Sequence, residues 1–476
     1  MSTISSARWV ALSQGGRVAI QLAGLVILAR LLPATDYGLM AMATVVTNFA
    51  LLLRDLGTAA AIIQKTELRE ETKATVFWLN VMMGLLLSLA LFVSAPLIAH
   101  YFADAELVPV LSMLCIALPL ASSGAVHQAL LERQSAFRGL TCIEIGSSLA
   151  GLLAAIVAAL SGAGVYSFVI QSILTAGLSS ILLWIVSGWR PWTLPSWREL
   201  HGLIGFSGNL TLFNFINYFS RNADGMIIGR YLGAAALGSY SLAYKLMWFP
   251  VQNVTLAASR ALYPALSRQQ NAPEVMARLY LRTVSLIALV TAPLMVGLLV
   301  VREPFVRVVF GPGWPMVPEI LAWLAPTGFI QSIVSSTGTV FMARGRTHVM
   351  AGLGTFNAIV TITAFALGAK FGVVGVAAFY FAANVLHAIP CLFFAMRALE
   401  SSPKLLLKAI AVPVASALLM GLGVAVLREL LASLHMGDPA GLAMSIVAGV
   451  LMYGFLVVMV FRLDLADLRM FMAPAH

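Results

Sequence analysis

The sequence predicts an all-α polytopic membrane protein of about fourteen transmembrane helices, and three observations point there. Hydrophobic residues make up 60% of the 476 positions. Charged residues make up only 10%, where a soluble domain carries about 25%. Apolar runs of roughly 20 residues, the length that crosses the hydrocarbon of a bilayer, follow one another with short polar breaks.

Taken in order, the runs are 10–31, 38–62, 76–99, 108–131, 143–161, 165–188, 206–229, 237–262, 282–301, 318–342, 349–368, 373–396, 406–427 and 441–461. The first follows no short apolar core with a small-residue cleavage site, so it reads as a retained span. The fourth holds Pro119 and the tenth Pro326, and both are expected to kink. An even number of spans puts both termini on one side. With the termini inside, eighteen basic residues fall in inner loops and tails, six in outer loops and five within spans. That bias puts both ends in the cytoplasm. The loops are too short to house a soluble domain. The longest outer one is read at 302–317, tightly turned, with Trp314 at the membrane interface.

The net charge of +10 does not indicate nucleic acid, because the basic residues sit at the ends of apolar runs. Cys115, Cys142 and Cys391 have no CxxC spacing and read as small apolar residues, so no metal or other cofactor is expected. No GxxxxGK[ST] motif is present, and no ATPase activity or covalent catalysis is expected.

Two halves echo each other. LARLLPATDYGLMAMA begins at Leu28 and IGRYLGAAALGSYSLA at Ile228, aligning Arg30 with Arg230, Leu32 with Leu232, Gly38 with Gly238 and Ala43 with Ala243. A second echo, offset by 208, aligns Pro96 with Pro304, Phe102 with Phe310 and Gly164 with Gly372. Six spans separate the copies, so the repeat is parallel. It predicts two six-helix lobes, 1–200 and 201–400, around a central cavity, and an accessory pair of helices in 401–476.

Polar stripes interrupt this apolar pattern. In the seventh span Asn214, Asn217, Arg221 and Asp224 are spaced three, four and three, which is one helical face. Under the 200-residue offset that face falls on Gln14, Arg17, Gln21 and Gly24 of the first span. The second span holds Asn48, Arg54 and Asp55, and the eighth holds Lys245, Gln252 and, near its inner end, Arg260. Lipid does not tolerate such faces, so they belong in a bundle interior beside water. Basic residues outnumber acids within the spans, where three clear acids, Asp55, Asp224 and Glu144, stand against five cations. A positive cavity favours an anionic ligand, and the arginine fork suits phosphate oxygens. Asp55 and Asp224 are candidates for charge coupling. Gln128, Gln171, Asn357, Asn384 and His387 read as interhelical hydrogen-bonding groups, with Tyr380, Asn384 and His387 on one face.

The stretches DYGLMAMATVV, RDLGTAAAIIQKTELREETKATVFWLN and SRNADGMIIGRYLGAAALGSYSLAYKLMWFPVQNVTLAASRALYPALSR carry a resemblance to a known family. They resemble the polysaccharide-transporter branch of the multidrug/oligosaccharidyl-lipid/polysaccharide exporter superfamily. The likeness is to flippases of colanic-acid-type and xanthan-type repeat units. It covers the first twelve spans and is most marked in the first, second, seventh and eighth.

The resemblance implies a flippase of the bacterial inner membrane. Its substrate would be an undecaprenyl-pyrophosphate-linked oligosaccharide moved from the cytoplasmic to the periplasmic leaflet by alternating access. A polysaccharide polymerase and export machinery are then candidate protein partners. By likeness to lipid II flippases, whose first, second and eighth spans supply arginines to a cationic cavity, Arg17, Arg54 and Arg260 would line the cavity here. The alternatives are a drug or cation exporter of the same superfamily, which would favour an acidic cavity, and a membrane-embedded glycan polymerase or scaffold. A polymerase would carry a large outer loop, and a scaffold would not need polar stripes in both halves.

Overall fold

The computed structural model describes residues 3–54, 62, 68–193, 195–196, 208–434 and 436–460. These are helical, and among them there is no β-strand. In chain order the helices are α1 (Thr3–Leu31), α2 (Ala34–Arg54), α3 (Glu70–Phe102), α4 (Leu107–Leu114), α5 (Ala117–Arg133), α6 (Phe137–Leu160) and α7 (Tyr166–Ser187). Then come α8 (Gly208–Arg268), α9 (Pro273–Phe310), α10 (Val317–Val334), α11 (Thr337–Ala343), α12 (Thr347–Gly368), α13 (Gly372–Ala398), α14 (Pro403–Ser433) and α15 (Asp438–Phe455). Among the described residues, ten helical segments are long and apolar enough to cross a membrane, and one of these, Thr347–Ala398, joins α12 to α13. The seventh and eighth predicted spans lie on α8, which breaks at Gly233 (φ 82°).

The apolar pattern is inverted relative to a soluble protein. On α3 the outward face carries Met82, Leu86, Leu89, Val93 and Leu97, from 59% to 73% exposed. Small or polar residues of the same helix, Asn80, Gly84, Ala95 and Ala99, are buried. Large side chains meet lipid and small ones let helices approach, because lipid offers no hydrophobic drive between helices. Gly84 lies against Ser122 and Gly151 against Thr175, each too close to accept a Cβ without movement.

The fourth predicted span is broken near its proline. Pro119 has no N–H for the carbonyl of Cys115, four residues back. That oxygen accepts instead from Leu118 N (3.2 Å) and from Ser88 Oγ on α3 (2.8 Å), and the chain divides into α4 and α5 there. In the tenth span α10 passes through Pro326 without ending there. The break comes at Ser335–Ser336, where Ser335, Ser336 and Thr337 hydroxyls all turn back to carbonyls three residues earlier. Such back-bonding competes with the helical ladder. The loop read at 302–317 is also shorter than the sequence suggests, because α9 continues to Phe310. Trp314 is 2% exposed, so it packs into protein and does not anchor at the lipid interface.

Both sequence echoes fall on equivalent structural positions. Leu32–Pro33 separates α1 from α2, and Gly233, 200 residues after Pro33, breaks α8. Phe102 and Phe310 each end a helix, and Ala103 and Gly311 after them both have positive φ. Gly164 and Gly372 also share positive φ just before and at the start of the next helix.

Contacts divide the chain into two compact units, Met1–Gly238 and Ser239–His476. In the second unit α14 and α15 rest on α9. Tyr453 of α15 donates to Leu289 O (2.8 Å), and Val301, Met420, Val424 and Leu442 form the apolar cluster between these three helices.

Candidate functional site

In the first unit α1 lies along α6. A Cβ on Gly16 would stand 2.8 Å from Ile145 Cδ1, and one on Gly24 3.0 Å from Leu152 Cδ1. The numbers rise together, so the two helices run in the same direction. At 100° per residue, Arg17 lies about 60° from the centre of that contact, and Gln21 about 100° from it. Arg17 is accordingly half-buried and Gln21 exposed. Gln14 is on the helix, but its side chain lies outside the described residues.

The first unit also joins α2 to the beginning of α8. Tyr218 OH donates to Val45 O (2.5 Å), and the rings of Tyr218 and Phe49 are 5.6 Å apart. Gly225 faces Val45, and Gly229 faces Met42 and Phe102. As the number rises along α2 from 42 to 49 it falls along α8 from 229 to 218, so this stretch is antiparallel. The register puts exposed Asn48 at the level of exposed Arg221 and half-buried Asp224. It puts half-buried Arg54, the last residue of α2, at the level of Asn214 and Asn217. Asn214 and Asn217 are on α8 with side chains outside the described residues, and Asp55 is outside them altogether.

Arg221 and Asp224, three residues apart, form no ion pair among the described residues. Asp224 Oδ1 accepts instead from the Gly225 amide (2.7 Å). Arg221 is thus not consumed by its nearest acid. Arg17 and Arg54 are each engaged by the surrounding protein.

In the second unit, Lys245, Gln252 and Arg260 are all exposed and share one face of α8 with exposed Leu256. The opposite face, Met247, Val251 and Thr255, is buried, packing at Met247 against Gly328. From that buried side toward its edge run Tyr240, Tyr244 and Trp248, with successive ring centroids 6.0 and 6.2 Å apart and planes within 26°. None of the three is among the polar positions read from the sequence. The i, i+4, i+8 recurrence of aromatic residues was the available signal. Gln331, also passed over, donates to Tyr380 OH (2.6 Å) and Asn384 Oδ1 (3.0 Å). This bears out the interhelical role read for Asn384.

The described candidates therefore put polar, mainly cationic residues on α1 and on the paired α2 and α8 in the first unit, and on one face of α8 in the second. Among the described residues no group of three or more His, Cys, Asp or Glu could hold a metal ion. What these faces offer is charge and amide hydrogen bonding in an apolar setting. They can solvate an anion and hydroxyl groups.

A family described as polysaccharide biosynthesis protein matches residues 27–318. The teichuronic acid biosynthesis protein TuaB of Bacillus subtilis is 30% identical over 345 residues, 72% of this chain and 71% of that protein. The lipopolysaccharide biosynthesis protein WzxC of Escherichia coli is 26% identical over 390 residues, covering 81% of this chain and 79% of its own. The succinoglycan biosynthesis transport protein ExoT of Rhizobium meliloti is 27% identical over 361 residues, 76% and 73% of the two chains. Among solved structures, the lipid II flippase MurJ in an inward closed conformation is similar with a TM-score of 0.74 at 15% identity, over 96% of this chain and 99% of that one. A multidrug resistance MATE family transporter follows with a TM-score of 0.61 at 15% identity, over 81% and 94%. These two likenesses establish the fold, an all-α polytopic membrane architecture. The family match covers more than half of the chain and includes the helices that carry Arg54, Arg221, Lys245 and Arg260, and on this ground the chain is a multi-pass membrane protein of the polysaccharide biosynthesis protein family.

Proposed function

We propose that this chain is a flippase that moves undecaprenyl-pyrophosphate-linked oligosaccharide repeat units from the cytoplasmic to the periplasmic leaflet, supplying exopolysaccharide or lipopolysaccharide synthesis. The observation that carries it is the set of basic and amide side chains on helices built for an apolar medium. Asn48, Arg54 and Arg221 lie on the paired helices α2 and α8, and Arg17 lies on α1 of the same unit. A diphosphate cannot enter hydrocarbon without replacement of its hydration, and the same holds for a sugar with many hydroxyls. Guanidinium groups serve the first and amides the second, while the prenyl tail stays in lipid. No bond is broken, so the protein is a transporter and not an enzyme. The names of TuaB, WzxC and ExoT, which tie those relatives to cell-surface polysaccharides, support the substrate class.

Within this reading, Arg17, Arg54, Arg221, Lys245 and Arg260 bind the diphosphate at successive depths, with Gln14, Gln21, Asn48, Asn214, Asn217 and Gln252 as hydrogen-bonding partners of the sugars. Asp55 and Asp224 couple movement to charge. The lobes are 1–200 and 201–400, with 401–476 as the accessory pair. A polysaccharide polymerase and export machinery receive the product. The test is transfer of a defined lipid-linked oligosaccharide in proteoliposomes containing this protein alone. Absence of transfer above protein-free vesicles, with correctly inserted protein, refutes the reading.

The same reading includes a fourteen-crossing topology in the bacterial inner membrane, with both termini cytoplasmic. Ala105, between α3 and α4, and Glu70, at the start of α3, are both exposed and lie at opposite ends of α3. In a protein with Cys115, Cys142 and Cys391 replaced, an impermeant thiol reagent added to intact cells is expected to label Ala105→Cys and not Glu70→Cys. Labelling in the reverse pattern overturns the orientation.

A further inference from the structure

A cavity of about 340 Å³ opens in the second unit, away from the polar face of α8. It lies where the end of α9 meets the end of α14 and the beginning of α15, and its charged lining is Glu303, Arg307, Arg428, Glu429 and Asp438. Four of these five form two ion pairs, Arg307–Asp438 (3.0 Å) and Arg428–Glu303 (3.5 Å). Glu429 forms none among the described residues. The lining thus offers both signs of charge at once, with one carboxylate in excess.

The position restricts the ligand. The cavity sits at the ends of three apolar, membrane-length helices, which is the level of lipid headgroups. Directly along α14 from it runs an exposed apolar ridge, Leu430, Val426 and Leu422, 57% to 69% exposed and spaced by four. A ridge of that spacing is one continuous stripe on a helix. Charge at the headgroup level and an apolar stripe beneath it match one amphiphile with both features.

We propose that this cavity is a binding site for the headgroup of a resident zwitterionic phospholipid bearing a primary ammonium, a phosphoethanolamine. The ammonium donates to Glu429 and the phosphate meets the Arg307 and Arg428 guanidinium groups, whose carboxylate partners Asp438 and Glu303 are able to swing aside while Arg428 keeps its bond to the Val300 carbonyl. The acyl chains follow the Leu430–Leu422 stripe. A quaternary ammonium would require aromatic faces, and no aromatic side chain is among the lining residues. A purely anionic headgroup would leave Glu429 uncompensated beside a negative ligand.

The test uses the full-length protein in nanodiscs of equal parts phosphatidylethanolamine, phosphatidylcholine and phosphatidylglycerol, followed by mild detergent washing and native mass spectrometry of retained lipid. Wild-type protein is expected to retain phosphatidylethanolamine about fivefold over phosphatidylcholine. Glu429→Gln is expected to abolish that preference, and Arg307→Gln to lower total retention. Glu429 and Arg307 are exposed, so both variants should fold, and helix content by circular dichroism checks this. Equal retention of the three lipids by wild-type protein overturns the proposal, as does an unchanged preference in folded Glu429→Gln. Preferential retention of phosphatidylglycerol, or displacement of phosphatidylethanolamine by a lipid-linked diphosphate sugar, overturns it too, in favour of an anionic lipid or of the transport substrate.

Discussion

Arg17→Ala protein, inserted and present at the wild-type level, is expected to transfer lipid-linked oligosaccharide at least about tenfold more slowly in proteoliposomes. A contact between a guanidinium and a phosphate in a poorly hydrated site is worth several kcal/mol when one partner is truncated, and each 1.4 kcal/mol is about a factor of ten. Arg17 lies at the edge of the α1–α6 contact and is half-buried, so its side chain is neither wholly in the protein interior nor presented to open lipid. Arg221→Ala is expected to act in the same direction. It is exposed, at the level of Asn48, and its nearest acid is bonded to the Gly225 amide.

Lysine at either position is expected to rescue only in part, because the charge remains while the two-pronged hydrogen bonding is lost. A purely structural role for Arg17 predicts a different result, in which Arg17→Ala lowers the amount of folded protein but leaves transfer per molecule unchanged. Normal transfer per molecule by Arg17→Ala removes that residue from the mechanism. A sugar-free undecaprenyl pyrophosphate gives a further reading, since loss of a diphosphate contact impairs binding of that molecule as much as of the full substrate.

The positions of the helices were legible in the sequence because a bilayer imposes a length and an apolar composition together. The polar faces were legible for the same reason: Arg221 and Lys245 stand out only against an apolar background. What pattern alone did not reveal was which partner each helix takes. The Tyr218–Val45 hydrogen bond and the Gly225 and Gly229 contacts, which register α2 against α8, lie 173 or more residues apart in the chain and depend on shapes that no periodicity encodes. The break at Ser335–Ser336 was not legible, because the hydroxyls of Ser335, Ser336 and Thr337 act only in combination, whereas a proline is visible alone. Trp314 was misread because an aromatic residue near a span end suits both a lipid interface and a buried corner, and only packing decides.

Gly38→Ala and Gly238→Ala are each expected to part the crossing of α2 and α8 and to slow transfer, although alanine is the smallest possible addition. A Cβ on Gly38 would stand 1.8 Å from Ala234 O, and one on Gly238 would stand 1.9 Å from Ala34 O. Both obstacles are backbone, which cannot turn aside as a side chain can, so the helices themselves must separate by more than about 1 Å to reach van der Waals contact. The pairing is reciprocal. Ala34 and Gly38 become Ala234 and Gly238 under the 200-residue offset, and each motif meets the other's opposite end. Overpacking of this kind costs roughly 1–3 kcal/mol. If the crossing belongs to one of two transport states, that cost shifts their ratio by about 5- to 150-fold toward the parted state.

Spin labels placed at exposed Thr35 and Tyr231 avoid the glycines themselves and report the separation. Wild-type protein is expected to show two distance populations whose ratio changes with lipid-linked diphosphate sugar, and either alanine variant to show mostly the longer one. Gly229→Ala is the graded control, because its Cβ would meet the Phe102 ring at 2.8 Å and Met42 Cε at 3.3 Å, side chains able to adjust. Gly354→Ala, with nothing within 4 Å, should change neither distance nor transfer. Wild-type distances and wild-type transfer in Gly38→Ala would show that the crossing yields without consequence, and the idea of a closing contact at these glycines would be abandoned. A single distance in wild-type protein, unmoved by substrate, together with reduced abundance of both variants, would assign the glycines to static packing.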